Sequence, residues 1–343
     1  MNPSILIIYT GGTIGMKLDP LTGALAPFNF QQIAQEVPEL KKFGYQIDTI
    51  SFSPLIDSSD VTPDFWIKLA LTIQEHYDRY DGFVVLIGTD TMAYTASALS
   101  FMLQDLEKPV IFTGSQLPIA VLRTDGKENF ISAVEIAAAK QSNGRPQVPE
   151  VCIFFENMLF RGNRTTKYNA EQFRAFCSPN FPPLAEAGIH IKYHNSVIRY
   201  PQIWEKSLKV QTQICCDLAI IKLFPGIQEK IVRGLLEIPG LRAAVLETYG
   251  SGNAPTQAWL IDTLHDAIGR GVIICNVSQC QTGSVAMETY ATGILLKRAG
   301  VLSGRDITTE AAVAKLILLT GQYSDNEIIT RLIDTNLCGE ISI

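Results

Sequence analysis

The sequence predicts an α/β protein of two domains. The larger, N-terminal domain carries a mostly parallel sheet covered by helices, and a smaller C-terminal α/β domain follows. Three observations carry that prediction. Short β-branched runs alternate with longer segments of helical period, the pattern of strands joined through helices. The run Phe83-Val84-Val85-Leu86-Ile87 is apolar without a break, as expected of a strand covered on both faces. Around residues 191–213 the alternation lapses into a polar stretch with Pro201, then resumes, which marks a connector. A length of 343 residues fits two domains at roughly 150 residues each. The expected boundaries are 1–190, 191–213 and 214–343.

In chain order, residues 5–9 form the first strand, closed by the glycine turn Gly11-Gly12, and residues 47–52 a second. Residues 63–80 form a helix: Thr62 can cap it, Pro63 suits its first turn, and Phe65, Leu69, Ile73 and Tyr77 recur every four residues. Strand 83–87 leads to a helix at 91–106, a strand at 110–113, an alanine-rich helix at 129–141 and a strand at 151–155. In the second domain strands are expected at 218–223, 243–246 and 272–276. Helices are expected from residue 228, around 258–268, at 309–319 and at 325–334. There is no repeat at solenoid periods and no low-complexity tract.

Composition narrows the function. Apolar residues make up 47% and charged residues 18%, enough for a sizeable core and too little charge for a disordered chain. The 28 basic against 34 acidic residues give a net charge of −6, a poor match to nucleic acid in the absence of a basic run. Apolar stretches are strand-sized, far below the roughly 20 residues of a membrane span. No basic region followed by an apolar core opens the chain, so a secretory signal is not expected. The seven cysteines are odd in number and lack metal-pair spacing, which points to a reducing compartment, hence the cytoplasm. The four histidines are scattered. His190 and His194 share i,i+4 spacing, but in a stretch of extended character they are expected at the surface rather than on a metal. No metal and no organic cofactor are expected.

In open parallel sheets, ligands bind beyond the carboxyl ends of the strands. That rule selects residues 10–15, 57–60, 88–91 and 113–116, and in the second domain 249–253 and 278–283, all dense in Thr, Ser, Asp and Gly. Thr10-Gly11-Gly12-Thr13-Ile14-Gly15 fits neither a P-loop nor the Gly-x-Gly-x-x-Gly fingerprint. A tight turn accounts for the glycines. A threonine directly after them stands near turn N–H groups, a workable nucleophile beside an oxyanion site. Gly88-Thr89-Asp90-Thr91 and Asp57-Ser58-Ser59-Asp60 each precede a helix, so a simple N-cap is the first account of both. Arg161-Gly162-Asn163-Arg164-Thr165-Thr166-Lys167 reads as a basic solvated loop. If Lys167 were carried into a cleft, desolvation and neighbours such as Arg161 and Arg164 would favour a neutral amine able to act as a base. No Gly-x-Ser-x-Gly elbow occurs, and no histidine sits in a convincing loop, so a nucleophile here needs a base other than imidazole.

These segments, in this order, resemble the bacterial type I (cytoplasmic) L-asparaginases. Beyond those already quoted, the matching pieces are the extension Met92-Ala93-Tyr94-Thr95-Ala96-Ser97-Ala98-Leu99, Thr113-Gly114-Ser115-Gln116, Ser178-Pro179-Asn180, Tyr249-Gly250-Ser251-Gly252-Asn253-Ala254-Pro255 and Tyr290-Ala291-Thr292-Gly293. The resemblance implies hydrolysis of L-asparagine to L-aspartate and ammonia by a homodimer or homotetramer, without metal or organic cofactor. It implies Thr13 as nucleophile through an acyl-enzyme, and Thr89, Asp90 and Lys167 as a second constellation in which the lysine helps a threonine hydroxyl shed or relay its proton. Asp90 would hold the substrate's α-ammonium, and Asp57, Ser58 and Ser59 would bind the α-amino acid end.

Two departures stand out. Many members carry a tyrosine on a loop shortly after the nucleophile, next to a proline; here Gly23-Ala24-Leu25-Ala26-Pro27 has none, and Tyr290 is the candidate substitute. Thr166 and Cys280 match an effector site known in some members, but Glu247 stands where an arginine is expected, which predicts no activation by asparagine. A broader asparaginase/glutaminase amidase and a non-catalytic amino-acid sensor are the alternatives. The ammonia-supplying subunit of a tRNA-dependent amidotransferase is disfavoured, because such subunits usually have sequence before the Thr-Gly-Gly-Thr segment.

Overall fold

The computed structural model describes residues 2–18, 25–27 and 36–342. They divide into two compact units, Met1–Val210 and Gln211–Ile343. The first unit thus takes in most of the stretch expected as a connector.

The first unit is built on an eight-stranded sheet. Its strands are β1 (Ser4–Tyr9), β2 (Gln46–Ser51), β3 (Gly82–Leu86), β4 (Val110–Thr113), β5 (Val151–Phe155), β6 (Met158–Arg161), β7 (Ala185–Ala187) and β8 (Ile191–Tyr193). Across the sheet the order is β8-β7-β6-β5-β4-β3-β1-β2. The five strands β2, β1, β3, β4 and β5 run parallel, and β6, β7 and β8 return antiparallel. Every residue of β3, β4 and β5 is buried, as their unbroken apolar runs require of strands covered on both faces. Helices α1 (Pro63–His76), α2 (Met92–Met102) and α3 (Gly126–Ala138) join or flank them. One core gathers Ile5, Ile7, Val84, Ile111, Phe130, Val134 and Phe154 from strands and α3.

Several elements depart from expectation for local reasons. Thr62 does occupy the N-cap of α1, but its side chain makes no capping bond. Helix α2 stops at Met102 because Leu103–Gln104 pairs as a short strand with Lys209–Val210. Helix α3 begins three residues early, at Gly126. Arg161, expected to open a basic loop, instead ends the return strand β6, with Cys152 opposite it. Gly23 and Ala24, in the stretch without the expected tyrosine, lie outside the described residues; Leu25–Pro27 pairs antiparallel with Met16–Leu18.

The second unit has a four-stranded parallel sheet of β9 (Leu218–Lys222), β10 (Ala243–Thr248), β11 (Ile273–Ser278) and β12 (Leu302–Ser303), in that spatial order. Its helices are α4 (Glu229–Leu236), α5 (Ala258–Gly269), α6 (Ala291–Arg298), α7 (Thr309–Gln322) and α8 (Asn326–Ile333). Helix α6 was not expected from the sequence. No helix among the described residues is long and apolar enough to cross a membrane. Among the described residues there is no cluster of three or more His, Cys, Asp or Glu able to hold a metal.

Candidate active site

The carboxyl ends of β1, β3 and β4 meet backbone against backbone, and glycine makes that approach feasible. Gly12 has φ 91°, and a Cβ there would fall 2.3 Å from the Gly88 nitrogen. A Cβ on Gly88 would in turn lie 2.5 Å from Ser58 Oγ and 3.4 Å from Gly12 Cα. Any side chain at either position would drive the loops apart. The contact sets Thr13 and Thr89 one residue beyond two touching glycines. Thr10 closes the seam from within: both its N–H and its hydroxyl donate to Leu86 O at 2.9 Å, and its carbonyl accepts from Ile56 N–H at 2.8 Å. Thr13 opens a short 3-10 turn, Thr13–Gly15, and is half-buried. Below it the buried Tyr9 hydroxyl donates to Gly15 O at 3.3 Å, and burial pushes that phenol up to about 12.

Asp57 caps the next short turn, Ser58–Asp60, accepting from the Ser59 N–H at 2.9 Å and the Ser59 hydroxyl at 2.7 Å. Those two bonds hold its carboxyl below the ordinary range, so at neutral pH it is an anion. Ser58 is buried, and its hydroxyl accepts from Asp90 N–H at 3.3 Å while its carbonyl accepts from the Thr91 hydroxyl at 2.6 Å. Asp57 therefore caps its own short turn and not the helix that follows, whose N-cap is Thr62, and neither Thr89 nor Asp90 is a cap. The N-cap of α2 is Thr91, and it makes no side-chain capping bond.

Lys167 completes the cluster. The antiparallel return through β6 and the 3-10 turn Gly162–Arg164 delivers it on the two-residue strand Thr166–Lys167, paired with Phe176–Cys177. Its Nζ donates to Thr89 Oγ1 at 2.8 Å and to Asp90 Oδ1 at 2.7 Å. Asp90 stays 62% exposed while Lys167 is only 17% exposed, leaving one carboxylate oxygen open for a cationic ligand. Thr89 also donates to Gln116 Oε1 at 3.2 Å. Gln116 was not among the expected site residues, although its segment was; only the folded contact reveals it. Its backbone N–H donates to both oxygens of Asp125, at 3.1 and 3.0 Å, and burial raises the Asp125 carboxyl against the pull of those bonds.

The two arginines expected to crowd Lys167 are engaged elsewhere. Arg161 grips Glu150 through Nε at 2.6 Å and Nη2 at 3.1 Å, and Nη2 also reaches Val197 O at 2.8 Å. Arg164 is 2% exposed and lies over Phe181, so this segment is no solvated basic loop. Lys167 is held by an acid and an alcohol.

In the second unit, the segment Tyr249 to Asn253 is tied down by Ser278, whose hydroxyl donates to Gly250 O at 2.5 Å, and by Asn276, which donates to Gly252 O at 3.2 Å. Tyr290 heads helix α6 and is 53% exposed, which excludes a core role within its unit. Cys280 is exposed and Thr166 is half-buried in the first unit. Glu247 is fastened by the Thr309 hydroxyl at 2.8 Å and by Lys222 at 3.4 Å. His190 is exposed, and His194 Nε2 lies 3.2 Å from Glu186 Oε1.

Fold and site define a two-unit α/β protein whose polar cluster of threonine, carboxylate and amine lines the carboxyl edge of a parallel sheet. Residues 4–199 match the family profile "Asparaginase, N-terminal", and residues 217–333 match "Glutaminase/Asparaginase C-terminal domain". The chain belongs to the asparaginase family of amidohydrolases. It is 46% identical to L-asparaginase 1 of Escherichia coli over 99% of this chain and 98% of that protein. The crystal structure of L-asparaginase I from Vibrio cholerae superposes with a TM-score of 0.90 at 41% identity, covering all of both chains. The thermostable L-asparaginase from Thermococcus kodakarensis gives a TM-score of 0.89 at 29% identity over 99% of each chain.

Proposed function

We propose that the protein hydrolyses L-asparagine to L-aspartate and ammonia, with Thr13 as nucleophile. The observation that carries this reading is the Lys167 amine bridging Thr89 and Asp90, beside the glycine seam that joins the Thr13 and Thr89 turns. Thr13 Oγ1 attacks the side-chain amide carbon and the C–N bond breaks. The threonine proton ends on the departing nitrogen, which leaves as ammonia. Water then adds to the resulting ester, gives its proton back to Thr13 and frees aspartate. Lys167, Thr89 and Asp90 relay and hold charge during these transfers. Asp90 offers its open carboxylate oxygen to the α-ammonium, while Asp57, Ser58 and Ser59 meet the α-amino acid end. A zwitterion requires this division, one anion and several donors at fixed places.

Ammonia release from asparagine and from glutamine, measured over a wide concentration range, tests the reading. Release from asparagine that is lost in Thr13→Ala supports it. Asparagine binding without any release in the wild type would instead mark an amino-acid sensor. The working assembly on this reading is a homodimer or homotetramer in the cytoplasm, with the nucleophile and the threonine–carboxylate–amine cluster in the larger domain.

Tyr290 is proposed to stand in for the tyrosine absent from residues 23–27. Tyr290→Phe is expected to lower kcat about 10-fold or more, since a positioned acid or base contributes about 10²–10⁴-fold. Wild-type turnover in that variant would remove Tyr290 from the mechanism. Glu247 presents a carboxylate where effector binding calls for a guanidinium, and Lys222 and Thr309 already fasten it. Initial rates against asparagine concentration are therefore expected to be hyperbolic, with Thr166 and Cys280 forming no working effector site. A sigmoidal curve would contradict this.

A further inference from the structure

The side-chain amide of Gln116 has only one possible orientation. Its Nε2 donates to Ala170 O and to Gln172 O, each at 3.2 Å. Both partners are carbonyls and can only accept, so the amide cannot be turned over without setting oxygen against oxygen. Its Oε1 therefore faces Thr89 Oγ1, 3.2 Å away, as an acceptor. The backbone of Gln116 is fixed as well, because Asp125 accepts its N–H through both carboxylate oxygens. Asp125 is further bound by Leu117 N–H at 3.2 Å and Asn129 Nδ2 at 3.2 Å.

This orientation dictates where the proton of Thr89 points. The hydroxyl has one proton and two lone pairs. With Gln116 taking the proton, the oxygen is left as an acceptor: one lone pair meets the Lys167 N–H at 2.8 Å, and the other remains for the cleft. A hydroxyl that donates is also a better acceptor, because successive hydrogen bonds polarise one another.

We infer that Gln116 is a positioning residue for the reaction, holding the Thr89 hydroxyl proton so that the Thr89 oxygen faces Lys167 and the cleft as an acceptor. This rests on the asparagine-hydrolysing reading. An O–H of water or an N–H of ammonia in the cleft thus donates to a fixed lone pair on Thr89 rather than meeting a rotating hydroxyl. Without Gln116 the hydroxyl is free to rotate, and the fixed acceptor that Thr89 presents to Lys167 and the cleft is lost.

Two variants separate this role from a merely structural one. Gln116→Met removes both the acceptor and the donors. Gln116→Glu replaces the amide donors to Ala170 and Gln172 with an oxygen that satisfies those carbonyls only when protonated, but keeps an oxygen that can accept from Thr89. Both are measured for ammonia release from asparagine, melting temperature and solvent deuterium isotope effect on kcat. Gln116→Met is expected to lose about 10- to 100-fold in kcat, the scale of a small misplacement of a reacting group, with KM within about twofold. It should also show a larger isotope effect. Gln116→Glu should keep kcat within about threefold of wild type, even if its melting temperature falls with the lost tie to residues 170–172. Equal losses in the two variants would assign Gln116 to that tie alone and overturn the inference, as would unchanged kcat in both. Should Gln116→Met not fold, Gln116→Ser, too short to reach Thr89, takes its place with the same expected loss. A wild-type protein that releases no ammonia would refute the functional reading instead, so the two failures are distinct.

Discussion

Replacing Thr13 with alanine is expected to abolish ammonia release from asparagine, by about 10⁴-fold or more in kcat, because the nucleophile of a covalent mechanism has no substitute in the site. The fold should survive the change. The Thr13–Gly15 turn is held by backbone bonds, Gly15 N–H to Gly12 O at 3.1 Å and Met16 N–H to Thr13 O, and alanine keeps both. Lys167→Met should fall less far, by about 10²–10⁴-fold, the range for losing a proton-transfer group. It also leaves the Asp90 carboxylate without its 2.7 Å partner, so KM for asparagine should change in the same variant. Purified variants with wild-type circular dichroism, assayed by direct ammonia detection, give the ordering. A Thr13→Ala protein that turns over like the wild type would move the nucleophile elsewhere.

The sheet and the site edge were legible because both are written in local patterns. Continuous apolar runs mark β3, β4 and β5, and the polar residues that follow them must sit at one edge of a parallel sheet. The Thr89–Asp90 pair could be placed there without coordinates. Lys167 could be placed only conditionally, because the hairpin that carries it back is local while the contacts that give it a role, to Thr89 and Asp90, cross 78 and 77 residues. Arg161 and Arg164 looked solvated for a related reason. The partners that bury them, Glu150 and Phe181, come alongside only when β5 and β6 pair and the chain folds back. Helix α6 escaped notice because its sequence is short and holds Gly293, a poor helix residue. Packing explains that glycine: a Cβ there would lie 2.6 Å from Met287 O. Gln116 lay in a matching segment but was given no role there, because its significance lies in a hydrogen-bond direction that sequence does not encode.

The largest expected effect on stability lies in the second unit. Lys315, in the middle of α7, is 2% exposed, and its Nζ donates to Glu340 Oε1 at 2.6 Å, Ile333 O at 2.9 Å and Thr335 O at 2.7 Å. Glu340 is fully buried and also accepts from the Leu337 and Cys338 N–H groups, at 3.0 and 2.8 Å. One ion pair thereby pins residues 336–342 and the end of α8 onto α7. Burial by itself raises the Glu340 carboxyl, but the Lys315 charge and the hydrogen bonds outweigh it and hold the group below its ordinary range. Lys315→Met is expected to cost about 3–5 kcal/mol, because it strands a buried carboxylate without its counter-charge. The loss should register as a lower melting temperature of the second unit, with little change in the first. Its pH dependence has a definite sign. In the wild type the carboxylate contributes stability above the ordinary glutamate range, and that contribution fades as pH falls through the depressed value. In Lys315→Met burial is no longer opposed by the ammonium, so the carboxyl moves up and takes a proton at higher pH, which relieves the stranded charge. The gap in melting temperature between the two proteins should therefore narrow as the pH is lowered from 7 toward 4. A gap that stayed constant over that interval would mean that packing of the lysine stem, and not its charge, secures the 336–342 segment.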